Sequence, residues 1–304
     1  MTPTTKAQLQ IHFCVLLWGF TAILGKLITL PALPLVWWRI FMVIAALAFV
    51  PQFWRSLRVL PARTALTYAG IGVLVALHWL TFYGAIKLAN ASVAATCIAL
   101  ATPFTALVEP WLTRTRFQPR DLLLGVAVLP GVALVVGGIP PGMRAGVAVG
   151  AVAALLVAVF GSLNKRFVHH GGPLAATGLE LGAGLVALSA LAPVLPFVMP
   201  ELAGSILARP SLHDLLLLLT LALVCTLLPF ALSFVALRHM SAFAAQLAVN
   251  LEPIYAIVLA ILLLGEQREL TVQFYVGVAI ILLVVLAYPW FSRPRLVESH
   301  GGLG

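Results

Sequence analysis

Gln246, Asn250, Glu252 and Pro253 stand in the middle of Ser241–Gln267, SAFAAQLAVNLEPIYAIVLAILLLGEQ, a run otherwise apolar enough to cross a bilayer. Roughly 20 apolar residues span the hydrocarbon core, and a charged side chain at its centre costs about 2.5–3.5 kcal/mol on insertion scales. Two amides and a carboxylate at that depth therefore face protein or a polar cavity rather than lipid. Gln246, Asn250 and Pro253 fall at i, i+4 and i+7 on one helix face, where the amides suit hydrogen bonding to a polar solute or to a neighbouring helix. Glu252 lies beside that face. A carboxylate there either takes up a coupling proton or serves as a structural acceptor for an arginine or freed backbone donors. Pro253 releases a backbone carbonyl, which needs a partner from a helix, a side chain or water.

A second constellation is HWLTFYGAIK, which places His78 with Phe82 and Trp79 with Tyr83 at helical spacing. Aromatic rings beside one histidine suit a site for flat or apolar side chains, although Trp and Tyr also gather at membrane interfaces as anchors. Trp18 in LLWGFTA, Phe160 in VFGSLNKRF and Phe230 in CTLLPFALSF would add walls. Trp37 and Trp38, at a span end beside Arg39, read as interfacial anchors.

These groups must be positioned by helices. The chain has 304 residues, 62% hydrophobic and 9% charged, with a mean hydropathy of +1.10. Soluble domains carry roughly 25% charged residues, so neither a soluble nor a disordered fold fits. Apolar segments cut at charges and prolines cover 10–29, 34–53, 66–87, 92–112, 121–139, 145–164, 174–199, 213–236, 243–264 and 272–291. None alternates apolar with polar as barrel strands do. The expectation is an all-α integral membrane protein of ten transmembrane helices. Basic residues concentrate in the connections around Arg55–Arg63, Arg114–Arg120 and Lys165–Arg166, which places both termini in the cytoplasm. That bias also accounts for most of the +9 net charge without nucleic acid. The first apolar run reads as a retained span, with no small-residue cleavage site after it. Cys14, Cys97 and Cys225 lie within apolar runs and offer no metal spacing.

The chain repeats itself. ANASVAATCIALATPFTALVEP aligns with RHMSAFAAQLAVNLEPIYAIVLA at an offset that pairs Pro103 with Pro253, and Lys26 pairs more weakly with Lys165. Residues 10–139 and 145–291 then form two five-span units. Five is odd, so the second unit enters the membrane inverted. Inverted repeats build transporters with a mid-membrane site at the repeat interface. Pro103 and Pro253, with Pro229 as a third bend, are candidate hinges, and Pro103 is placed on the cavity wall as well. The glycines Gly178, Gly182 and Gly184 read as close helix packing.

ALRHMSA ahead of the ninth span and LEPIYAIVLAILLLGEQ within and after it, with AIKLANASVAA and ATPFTALVEP in the first half, resemble the drug/metabolite transporter superfamily, in its EamA-like branch. The resemblance covers roughly residues 10–290 and is specific for the family but not for a substrate. It departs where TRTRFQ stands in place of an acidic ending after the fourth span. It implies a basket-shaped bundle around a central cavity lined by spans one, three, four, six, eight and nine. It further implies a secondary transporter of the bacterial inner membrane that exports small metabolites, most similar to exporters of amino acids, aromatic ones included. The partners implied are a small-molecule substrate and the lipid bilayer, with protons as a coupling ion and no cofactor. Two other classes stand beside this reading. An intramembrane enzyme would need a nucleophile with an acid–base set, and Ser233 with His78 lacks any GxS-type motif. A channel would need a repeated filter sequence, which does not appear. GGIPPG and HHGGP lack the ending of a phosphate loop.

Overall fold

A computed structural model of the chain describes residues 3–249 and 251–291, and every regular element among them is helical. The first half runs through α1 (Pro3–Leu27), α2 (Ala32–Ala48), α3 (Pro51–Arg58), α4 (Ala62–Leu88), α5 (Ala91–Cys97), α6 (Ala101–Thr113), α7 (Pro119–Ala127) and α8 (Leu129–Gly137). The second runs through α9 (Arg144–Phe167), α10 (Pro173–Leu191), α11 (Leu195–Val198), α12 (Leu212–Ala222), α13 (Leu228–Leu237), α14 (Ala242–Val249), α15 (Glu252–Leu259) and α16 (Val272–Phe291).

Pro3–Leu27, Ala62–Leu88, Ala91–Thr113, Pro141–Phe167, Pro173–Leu191 and Leu212–Leu237 are long and apolar enough to cross a membrane. The α2–α3 pair, bent by 88°, makes a seventh if taken as one span. Gly125–Gly137, Glu252–Leu264 and Val272–Val284 are apolar but shorter. Helix length and composition thus give six or seven spans among the described residues, where ten were expected. Interruption is part of the reason: the fifth segment is divided between α7 and α8, and the ninth between α14 and α15.

Proline accounts for where several helices break. Its missing N–H is tolerated best in the first turn, although Pro110 stands inside α6. Pro103 follows a single 3₁₀ turn, Ile98–Leu100, and opens α6; Pro253 opens α15. Pro229 opens α13 directly after a π-helical turn, Leu223–Leu227.

The centre of the packing is α4, which lies against α9, α10 and α2, while α1 packs on α13 and α15 and α8 pairs with α16. Backbones approach closely at the crossings because glycine stands there. A Cβ on Gly72 would lie 1.9 Å from the Glu180 carbonyl oxygen, and one on Gly184 2.9 Å from that of Gly72. Gly131 and Gly277 face each other similarly, across α8 and α16. Gly178 accommodates the Phe53 ring, but Gly182 has nothing nearer than 3.9 Å and is not a packing glycine. Gly72→Ala is therefore expected to cost about 1–3 kcal/mol through overpacking. Its thermal unfolding in detergent should fall below that of the wild type, whereas Gly182→Ala should unfold with it; equal midpoints for all three would refute the tight crossing.

The helix pairs α5–α6 and α14–α15, the fourth and ninth apolar segments, run antiparallel and are tied to each other at both ends. At one end Glu266 accepts from the backbone N–H groups of Ala91 and Ser92, each at 3.0 Å, and from Ser92 Oγ at 2.6 Å. At the other, Glu109 accepts from the N–H groups of Ala242 at 3.0 Å and Phe243 at 2.8 Å. Each carboxylate thus fills the orphan donors that open a helix. Asn90 and Ser241 complete the two caps, accepting from Val93 N at 2.9 Å and Ala244 N at 3.0 Å.

Candidate functional site

A cavity with about 930 Å³ of empty space, its open mouth included, lies among α1, α2, α4, α9, α13, α14 and α15. It is built first from rings. Trp18, His78, Trp79, Phe82, Phe160 and Phe230 all line it. His78 lies 5.3 Å from Phe160 and 6.2 Å from Phe82 between ring centroids, and Trp79 lies 5.9 Å from Phe230. His78 is oriented by a 2.8 Å bond between its Nδ1 and the Ala153 carbonyl. A carbonyl only accepts, so Nδ1 carries the proton and the neutral ring presents Nε2 as an acceptor.

The polar groups come next. Arg39, only 2% exposed, enters the lining from α2, a helix outside the set that the family resemblance implies. Its guanidinium lies 3.9 Å above the centre of the Trp79 ring. Nε donates to Thr226 Oγ1 at 2.6 Å and Nη1 to Tyr83 Oη at 2.9 Å. Thr226 sits in the π-helical turn Leu223–Leu227 and donates in turn to the Leu221 carbonyl at 2.6 Å, so an irregular helix turn holds the arginine. Glu252 also lines the cavity, as the first residue of α15, where a helix N-terminus favours negative charge. Arg39 and Glu252 are not within 4.0 Å of each other as an ion pair, and both remain on the wall. Asn164, Thr21 and Ser233 are the other polar lining residues.

The structure brings together Trp18, His78, Trp79, Phe82, Phe160, Phe230 and Glu252. It does not place Tyr83 or Pro103 in the lining. The Tyr83 ring is fully buried behind Arg39, in space left by Gly25 of α1. Pro103 packs against Gly125 of α7, whose Cβ would meet it at 2.6 Å. The Gln246 side chain and the whole of Asn250 lie outside the described residues. Glu252 falls on the cavity itself rather than beside it, as the first residue of α15. Arg39 is named from the sequence only as the neighbour of Trp37 and Trp38. Its signal was available as the lone charge within the 34–53 apolar run, which is a functional pointer by default. Trp37 and Trp38, by contrast, are partly buried against the core and donate to Ser189 Oγ and the Ala208 carbonyl.

Ser233 donates to the Phe230 carbonyl of its own helix at 2.7 Å, and His78 is held by Ala153. No Ser–His bond of a nucleophilic pair forms between them. Among the described residues no group of three His, Cys, Asp or Glu side chains is arranged to hold a metal.

Comparison with known proteins gives a consistent result. The EamA-like transporter family matches residues 5–137 and again 144–288. No curated protein matches the chain. Among 21 matching chains of solved structures, one crystal structure superposes with a TM-score of 0.66 at 18% identity, covering 95% of this chain and 98% of that one. At that identity the likeness is one of fold.

Proposed function

Because the chain belongs to the EamA-like transporter family, a family of membrane transporters of small molecules, we propose that it is a secondary transporter of amino acids, aromatic ones included. In this reading ten spans form two inverted repeats, 10–139 and 145–291, in a basket around the cavity. The protein sits in the bacterial inner membrane with both termini cytoplasmic. Tilting of the repeats opens the cavity to one side at a time, and the net direction is outward. The family's two successive matches support the repeat division.

One observation carries the substrate class: a single cavity holds a guanidinium, that of Arg39, and a carboxyl group, that of Glu252, with no ion-pair contact within 4.0 Å between them, inside an aromatic wall. A zwitterion fits that arrangement. Its carboxylate meets the guanidinium, whose planar fork suits two-point binding. Its ammonium meets Glu252, and a flat side chain lies against Trp79, Phe230 and the His78–Phe160 pair. In both charged contacts the substrate supplies the counter-charge that a buried ion needs.

The test is counterflow. Proteoliposomes loaded with unlabelled amino acids should accumulate labelled phenylalanine. Trp79→Ala removes both a wall and the platform under Arg39, and a desolvated cation–π contact is worth about 2 kcal/mol; half-saturation should rise roughly 30-fold. His78→Ala is expected to rise less, since it removes one ring and one acceptor. Absence of exchange by folded wild-type protein would remove amino acids and leave other metabolites or drugs as the cargo.

A further inference from the structure

Behind the cavity wall, on α10, lies a carboxyl group with no exposure at all, that of Glu180. Its one hydrogen bond is a 3.3 Å contact from Asn164 Nδ2 to Oε2, and Oε1 has no partner. Two further buried polar atoms nearby in the chain, Asn164 Oδ1 and Thr177 Oγ1, are also unpartnered. Thr177 precedes Glu180 by three residues and so shares its helix face. Buried polar atoms are almost always satisfied, and each exception calls for a reason.

Three of the other four buried carboxylates show what a structural role looks like here; the fourth, Glu252, lines the cavity. Glu109 and Glu266 each accept from two backbone N–H groups. Asp214 accepts from Thr29 N at 2.8 Å and Thr29 Oγ1 at 2.7 Å. Glu180 has nothing comparable, and no cation lies within 4.0 Å of it as an ion pair.

The surrounding charged groups are directed elsewhere, although the buried Nε of Arg238 has no partner. From α4, Tyr68 donates its hydroxyl to the Phe167 carbonyl at 2.8 Å, His78 faces the cavity and Arg63 is exposed. From α2, Arg39 is held at the cavity, and from α3, Arg55 and Arg58 are exposed. At the end of α13, Arg238 donates to the Gly171 carbonyl at 3.1 Å. From α9, Lys165 donates to the Leu237 carbonyl and Arg166 to that of Leu112. An ionised Glu180 would be an unpaired buried charge, which proteins avoid by neutralising the group. Its sole connection, Asn164, lines the cavity.

We propose that Glu180 is a proton-binding site of this protein, linked to the cavity by Asn164. This rests on the transporter reading above. In the arrangement described here the carboxyl is protonated. When Asn164 moves and water reaches Glu180, the O–H bond breaks, the proton passes to that water and the carboxylate remains, accepting from the Asn164 amide. Asn164 is shared between Glu180 and any polar ligand in the cavity, so protonation and ligand occupancy are coupled free energies.

Two measurements test this. The first needs no substrate. The infrared difference spectrum of full-length protein in detergent at neutral pH, wild type minus Glu180→Gln, should contain the carbonyl stretch of a protonated carboxyl. Asn164→Leu, which leaves the carboxyl in place, should move that band to higher frequency as the hydrogen bond is lost. No band, or a band indifferent to Asn164, overturns the proposal. In the second, an imposed pH gradient should change steady-state labelled phenylalanine in wild-type proteoliposomes by about tenfold, within the usual range of coupling energies. In Glu180→Gln the gradient should have no effect while exchange at equal pH continues. Full gradient dependence in Glu180→Gln overturns the proposal. A band that responds to Asn164 in a wild type without phenylalanine exchange would support the proton site and overturn the amino acid reading alone.

Discussion

Arg39→Leu should raise the half-saturating concentration of phenylalanine in exchange by roughly 30-fold to several-thousand-fold. The range follows from the about 2–5 kcal/mol lost when one partner of a buried, hydrogen-bonded charge pair is truncated. Arg39→Lys keeps the charge, yet a lysine neither stacks on Trp79 as a plane nor spans Thr226 and Tyr83 with two donors. It should recover only a minor part. A purely structural arginine would weaken every ligand alike, so the deciding comparison is phenylalanine against phenethylamine, which lacks the carboxylate. Wild type should discriminate strongly between them and Arg39→Leu should not. Unchanged discrimination would remove Arg39 from the substrate site.

The second large effect concerns the two carboxylate caps. Glu266 closes one end of the antiparallel pair formed by the fourth and ninth apolar segments, and Glu109 closes the other. Hydrogen bonds to a charged group contribute about 1.5–3 kcal/mol each. Under the alternating access proposed above, one cap is released while the other holds. Glu266→Gln and Glu109→Gln should therefore shift the resting population in opposite directions, each by tenfold or more. Ser233→Cys in the cavity reports this, with Cys14, Cys97 and Cys225 replaced by alanine. A membrane-impermeant maleimide should label it from one side in Glu266→Gln and from the other in Glu109→Gln. Labelling from the same side in both would mean that the caps are only local helix stops.

The aromatic wall was legible because each of its members is defined within one helix. A Trp or His deep in an apolar run, as at Trp18, His78 and Trp79, has few places to point. Arg39, Asn164 and Glu180 were missed because their surroundings come from distant segments: Thr226 and Tyr83 for the first, α10 for the second and α9 for the third. Glu252 was placed off the cavity face by carrying one helical phase from Gln246 to Pro253, whereas α15 begins only at Glu252. Tyr83 was grouped with Trp79 by spacing alone, and only the gap at Gly25 explains why its ring turns toward α1. TRTRFQ departs from the acidic ending common in the family, yet an acidic cap is present in the first half of the chain. Glu109 supplies it ahead of TRTRFQ, in a position that becomes meaningful only once Ala242 and Phe243 are seen beside it.

The π-helical turn at Leu223–Leu227 spends one residue more than an α-helix would over the same rise. One residue corresponds to about 100° of rotation. Phe230, Ser233 and Leu237, which form a stripe along α13, all line the cavity, and they face it because the helix was turned that far just before them. Delete a single position between 223 and 227 and every letter of that stripe is retained, yet its aim is lost. The eighth span's contribution to the cavity is therefore encoded as a count, an insertion kept in place by the Arg39–Thr226 bond, and a substitution scan that preserves chain length would pass over it.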